Sequence, residues 1–246
     1  MKTEFINETL FLPEKGILVV GDLHIGYDFM LRQSGVLIPE RQINDTIERL
    51  EKIFEILKSE KKELKKIIFL GDIKHSFGFK FEEKRDFRKV LDFLEASFEK
   101  ENIIFIKGNH DTIDYTFENR MKDFHIEEGI AFIHGHKTFL EIFGKNINTI
   151  VLGHLHPSIV LEENPGIKKE KYKCFLTGKY KNKNIFILPS FLSIIEGSRI
   201  NDYSDERFYK DKKEFSIIPK KDLMKFKVHI VGENEIYSFG KVKNFN

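Results

Sequence analysis

Five short apolar runs in this chain each lead into residues that bind metal ions or carry protons. Ile17–Val20 runs into Gly21-Asp22-Leu23-His24, and Ile67–Leu70 into Gly71-Asp72-Ile73-Lys74-His75. Ile103–Ile106 is followed by Gly108-Asn109-His110-Asp111, Ile130–Ile133 by His134-Gly135-His136, and Ile150–Leu152 by Gly153-His154-Leu155-His156. Seven of the 9 histidines fall in these stretches; His125 and His229 lie outside them and read as incidental. Any one such motif is weak, because a Gly-Asp after a strand is usually a turn. The signal is their ordered recurrence. Oxygen and imidazole donors without a thiolate suit Mn²⁺, Fe²⁺ or Zn²⁺. So many exceed what one ion can use, whereas two ions about 3.5–4 Å apart, bridged by one carboxylate, would absorb them.

Such residues act together only if the fold gathers them. The five runs read as buried strands. Between the first three lie helical patterns, one through Ile43, Ile47, Leu50, Phe54 and Leu57, with Pro39 in a helix-opening position, and one through Phe87, Val90, Leu91, Leu94 and Phe98. This alternation predicts an α/β fold with a largely parallel sheet. In such sheets the functional crevice lies at the carboxyl ends of the strands. The glycines before the ligands are expected to let the chain turn sharply there. After His156 the pattern changes to short alternating runs at Lys173–Leu176, Asn184–Leu188, Phe215–Ile218, Lys227–Val231 and Ile236–Phe239, with a hairpin loop at Val231–Glu235. These predict a second, mostly antiparallel sheet packed on the first, within one domain spanning residues 1–246.

Composition sets outer bounds. The 246 residues include 41 Lys+Arg, 39 Asp+Glu, no Trp and one cysteine, Cys174. A lone cysteine excludes an intrachain disulfide and any Cys-based zinc site, and a reducing compartment is its default. No apolar run approaches the 18 or so residues of a membrane-spanning helix, and the N-terminus lacks a signal-peptide core. The expectation is a cytoplasmic protein with no membrane partner. The net charge of +2 hides an asymmetry: residues 1–165 carry net −6 and residues 166–246 net +8. Lys168, Lys169, Lys171, Lys173, Lys179, Lys181 and Lys183 form a basic segment that, if it flanks the crevice, would track a nucleic-acid backbone.

The order D-x-H, G-D, G-N-H-D, H, G-H-x-H over residues 21–156 resembles the calcineurin-like metallophosphoesterase superfamily. Two further stretches resemble a narrower group, the SbcD-related archaeal phosphoesterases and the bacterial DNA-ligase-associated phosphoesterases. One is Gly21–Pro39; the other runs from His154-Leu155-His156-Pro157 through Lys173–Leu176 to Leu188-Pro189-Ser190-Phe191. The resemblance implies two packed mixed β-sheets flanked by helices, a four-layer α/β/β/α sandwich. It implies one metal held by Asp22, His24 and His156, a second held by Asn109, His134 and His154, and Asp72 between them. Mn²⁺ is the expected ion, with Fe²⁺, Zn²⁺ and Ni²⁺ as alternatives. It further implies His110 as the catalytic acid, oriented by Asp111. Lys74, His75 and His136 are expected around the metals as ligand-orienting or substrate-contacting residues.

The expected activity is hydrolysis of a phosphoester by a hydroxide between the two ions, with a phosphodiester, DNA or RNA included, as the favoured substrate. A phosphomonoesterase on a small molecule or phosphoprotein would use the same site. A non-catalytic scaffold on this fold would have lost ligands or His110, and all are present.

Overall fold

The computed structural model describes residues 1–116, 120–162, 169–201, 216–233 and 235–245. The first sheet has five strands in the order β1 (Glu4–Ile6), β2 (Thr9–Leu12), β3 (Ile17–Val20), β4 (Lys66–Phe69) and β5 (Ile103–Phe105). β1–β2 and β2–β3 pair antiparallel, while β3–β4 and β4–β5 pair parallel, so half of this sheet departs from the expected parallel pattern. The parallel steps are the two crossed by long helices, α2 (Gln42–Ser59) and α3 (Phe81–Glu95). A short α1 (Tyr27–Gln33) precedes them. Pro39 does not open α2; Arg41 caps it, and Gln42 is its first residue.

The second sheet has nine strands: β6 (Phe124–Glu127), β7 (Ile130–Ile133), β8 (Thr149–Leu152), β9 (Pro157–Glu162), β10 (Lys169–Tyr180), β11 (Lys183–Ile187), β12 (Ser198–Arg199), β13 (Lys227–Val231) and β14 (Ile236–Lys241). Antiparallel pairs predominate, as expected, with parallel pairs at β7–β8, β8–β11 and β9–β12. Two sequence expectations are corrected. β7 and β8, grouped with the first three runs, belong to this second sheet. Among the described residues no crossover helix separates β5 from β6, and a parallel return to the first sheet needs one. The run Phe215–Ile218 is not a strand in its described part, Ser216–Ile218, which bends ahead of Pro219 while burying Ile218; Phe215 lies outside the described residues.

Strand alternation sorts the apolar side chains into three layers. Leu18, Val20, Ile67, Phe69, Ile103 and Phe105 face α2 and α3. Their neighbours Ile17, Val19, Ile68, Leu70 and Ile104 face the second sheet and meet Ile130, Phe132, Val151 and Phe175. The far face of the second sheet buries Ile133, Ile150, Leu152, Cys174 and Ile187. There the covering helical layer is thin among the described residues: α4 (Lys220–Leu223) and short 3₁₀ turns. No helix among the described residues is long and apolar enough to cross a membrane.

Phe132 is fully buried in the middle layer. Phe132→Ala is expected to cost about 3–5 kcal/mol, read as a lower denaturant midpoint. A loss below about 1 kcal/mol would mean the sheets do not depend on that contact.

Candidate metal centre

β3, β4 and β5 of one sheet and β7 and β8 of the other point their carboxyl ends at a common seam. The loops leaving those ends are bonded to one another. Leu23, His24 and Ile25 donate backbone N–H bonds to the carbonyls of Asp72 and Ile73 at 2.8–3.2 Å. The Asp22 carboxylate accepts from the His154 N–H, and its backbone carbonyl accepts from the Phe191 N–H and the Ser190 hydroxyl. Four of the site residues, His24, Asp72, His154 and His156, hold left-handed backbone with φ of 47°, 46°, 65° and 43°. Each such residue costs of order 1–3 kcal/mol and persists only when its surroundings over-determine it.

The glycines act by size as well as by turning. Gly71 and Gly135 do adopt positive φ. Gly108 and Gly153 do not; a Cβ on Gly108 would sit 2.1 Å from Asp72 Oδ1, and one on Gly153 would sit 2.5 Å from Asp22 Oδ2. They are close-approach sites for carboxylates.

Three sets of donors have ligand atoms within 4.8 Å of one another: Asp22, His24 and His156; Asp72, His134 and His154; and His24, His75 and His110. Asp72 lies between the first two. Its Oδ2 is 3.4 Å from His134 Nε2, 3.7 Å from His24 Nε2 and 4.0 Å from His110 Nε2. His134 Nδ1 donates to the Leu70 carbonyl at 2.9 Å, which leaves its Nε2 as a bare lone pair. That lone pair faces Asn109 Oδ1 and His154 Nδ1, each at 3.0 Å, besides the Asp72 oxygen. Beside Asp22, the buried His156 Nε2 is 3.2 Å from the carboxylate without the alignment of a hydrogen bond. Acceptors turned toward acceptors in a dry site repel, unless a cation lies among them. The donor set therefore fits divalent ions with nitrogen and oxygen ligands.

Electrostatics agree. Burial, then the charges of Asp22 and Asp111, push the Asp72 carboxyl far above its usual range. For Asp22 burial acts in the same sense, but His156, His134 and His24 outweigh it and hold its carboxyl low. Burial pushes His134 down to about 3, His75 to about 4 and His24 well below neutrality, so these rings are lone-pair donors at pH 7.

Two expected roles are corrected. Asp111 does not orient the His110 ring. Fully buried, its carboxylate accepts from the N–H groups of Gly108 at 2.9 Å, Ile73 at 3.0 Å and Lys74 at 3.2 Å, locking the β4 and β5 loops together. His110 Nδ1 instead meets the His75 carbonyl. Nor does Lys74 face a phosphate: it is buried, and its amine donates to the carbonyls of Ser76 and Gly78. His136 packs beside His134 with its Nδ1 buried and unpartnered.

The basic segment does not line the seam. Lys173 is partly buried and donates to the Ser190 and Leu192 carbonyls, while Lys171 and Lys169 face Glu196 and Glu162. Lys179, Lys181 and Lys183 lie by the β10–β11 turn, where Asn184 pairs with Thr149, at the end of the sheet away from His154. Lys168 lies outside the described residues. Gln42 was not found from sequence. Its amide donates to the Leu23 and His24 carbonyls and accepts from Gly26 and Asp28, and no spacing rule marks such a brace.

The family model for calcineurin-like phosphoesterases matches residues 16–241. Among solved structures, the chain is similar to the Pseudomonas putida nuclease MPE, with 18% identity and a TM-score of 0.59, over 97% of this chain and 100% of that one. At that identity the likeness speaks for the fold alone. Curated protein sequences yield no match.

Asp111→Asn keeps the size but turns one acceptor into a donor, so it is expected to lower stability by about 1–3 kcal/mol, read as a lower denaturant midpoint. Unchanged stability would mean that these three backbone bonds do not hold the β4 and β5 loops together. Asp72 binds its proton more tightly when folded than unfolded, so metal-free stability falls as pH rises above the ordinary carboxylate pKa of about 4. Asp72→Asn should therefore stabilise the metal-free protein at pH 7 and lose that advantage at pH 3; an equal effect at both pH values would contradict the burial argument.

Proposed function

We propose that this chain, which belongs to the calcineurin-like phosphoesterase family, is a two-metal phosphodiesterase that acts on nucleic acid or nucleotides. Residues 1–246 are read as one catalytic domain. The observation that carries the reading is the position of Asp72 Oδ2, within 4.0 Å of imidazole nitrogens from His134, His24 and His110. Asp22, His24 and His156 would hold one ion and Asn109, His134 and His154 the other, with Asp72 shared. Mn²⁺ is the ion expected, and Fe²⁺, Zn²⁺ or Ni²⁺ would fit the same donors. Two divalent ions there would activate water as the nucleophile and offset charge developing on the phosphoryl oxygens.

The chain's own part is to position and to move one proton. The Nδ1–H of His110 is held by the His75 carbonyl, which directs Nε2 toward Asp72 and the metal-ligand cluster. From Nε2 a proton can pass to the departing oxygen. Asp111, Gln42 and Ser190 keep the three ligand loops in register with one another.

A diester is favoured over a monoester on charge. The amine of Lys74 is committed to backbone carbonyls, and burial keeps His24, His75 and His134 neutral, so these motifs offer a phosphate little cationic charge of their own. A diester's single negative charge needs less compensation than a monoester's two. The similar fold of a protein named a nuclease is consistent with this choice.

Protein stripped of metal and reloaded with Mn²⁺ is expected to hydrolyse a bis-aryl phosphodiester. Asp72→Ala and His110→Ala should each lower kcat by about 100-fold or more. Turnover of aryl monoesters alone would replace the diesterase reading with a monoesterase one, and inertness with all four metals would favour a scaffold.

A further inference from the structure

Residues His75-Ser76-Phe77-Gly78-Phe79-Lys80-Phe81 carry three aromatic rings that the core does not use. Phe77 is 59% exposed, Phe79 53% and Phe81 67%, although phenylalanines such as Phe69, Phe87 and Phe105 are fully buried. Exposed apolar clusters of this kind mark contact sites.

The rings stand out on a backbone that is pinned. The Lys74 amine holds the carbonyls of Ser76 and Gly78, and the Thr112 hydroxyl donates to the Phe77 carbonyl. The Lys80 N–H donates to the Tyr115 hydroxyl at 2.9 Å, and the Ser76 N–H to Glu83 at 2.8 Å. Lys74, whose amine is spent on these carbonyls, thus supports this loop from within.

The loop also adjoins the reacting centre. The Phe77 ring lies parallel to His110 at 4.3 Å and 24°, and His110 lies on His75 at 5.4 Å and 24°. Phe79 follows two residues on, edge-on to Tyr115, with the Lys84 amine 5.9 Å from its centroid. A planar π-face next to the proton donor, flanked by a cation, matches a nucleobase one nucleotide from the phosphate being cut. Bases inside a duplex already have both faces stacked and cannot use it. A stable protein partner on Phe77 would cover His110, which argues against that occupant.

We propose that Phe77 and Phe79 form a stacking platform for the base adjoining the scissile phosphate, so that the substrate is single-stranded or frayed nucleic acid rather than intact duplex. This rests on the phosphodiesterase reading, but its test does not need turnover. Metal-free protein is titrated with labelled oligo-dT and with an abasic deoxyribose-phosphate oligomer of equal length and charge, and anisotropy is recorded. Wild type should bind oligo-dT about tenfold or more tightly than the abasic strand. Phe79→Ala should shrink that ratio, and Phe77→Ala with Phe79→Ala should bring it to within about twofold, with thermal midpoints moving by only a few degrees because the rings are exposed.

Equal affinity of wild type for the two oligomers overturns the proposal, whatever the activity with metal. So does an undiminished ratio in the folded double variant. Sedimentation that shows the same variant dissolving a dimer, with oligomer discrimination unchanged, would assign the rings to self-association instead. Failure of the phosphodiesterase reading would be visible separately, as inertness of metal-loaded wild type that still discriminates between the oligomers.

Discussion

The arrangement of this molecule depends on one electrostatic constraint. Two carboxylates and several imidazoles share a dry seam, and their lone pairs are aimed inward. Asp72 cannot comfortably hold its charge there, and His24, His75 and His134 are kept neutral by the same burial. Without bound cations such a cluster would open, because repulsion between acceptors and left-handed backbone both favour relaxation. Its persistence requires a frame stiff enough to resist both.

That frame comes from the interlocking of loops. Asp111 ties the β5 loop to the β4 loop through three backbone N–H groups. Gln42, from the first turn of α2, closes the loop after β3. Behind Asp22, the Leu188–Phe191 segment supplies the Ser190 hydroxyl and Phe191 N–H, and is itself held by the Lys173 amine and by the Arg49 guanidinium stacked 4.1 Å over the Phe191 ring. A Cβ on Gly21 would meet the Pro189 carbonyl at 2.3 Å, so the two segments touch directly. The stretches that suggested the narrower family likeness are therefore neighbours in space, around the Asp22 carboxylate.

Much of the site was legible in the sequence because ligand chemistry is local in type and periodic in position. A strand end followed by Gly and a donor recurs four times, and after β7 the donor His134 follows directly; these donors meet at the expected seam. The sheet membership of β7 and β8 was not legible, since a four-residue apolar run does not announce which sheet it joins. The role of Asp111 was misjudged for a different reason: adjacency to His110 in sequence suggested contact, whereas the backbone turns the carboxylate back toward Gly108 and Ile73. The lysine segment misled in the same way. Charge counted along a chain does not say which amines turn inward, and Lys173 spends its amine on the Ser190 and Leu192 carbonyls. Conversely, Phe77, Phe79 and Phe81 looked like core material among 25 phenylalanines, and only their exposure separates them.

The bond from Ser190 to the Asp22 carbonyl joins residues 168 apart in the chain. Every proposed ligand has been synthesised by residue 156, yet the brace behind the first carboxylate arrives more than thirty residues later. Long-range closures of this kind form late in folding, after local helices and hairpins. A nascent chain halted after His156, before β9, would hold the full list of donors in a loose, poorly aligned state, and competence would appear only when β10, β11 and the segment beyond them dock. Assembly of the centre is in this way gated by completion of the second sheet.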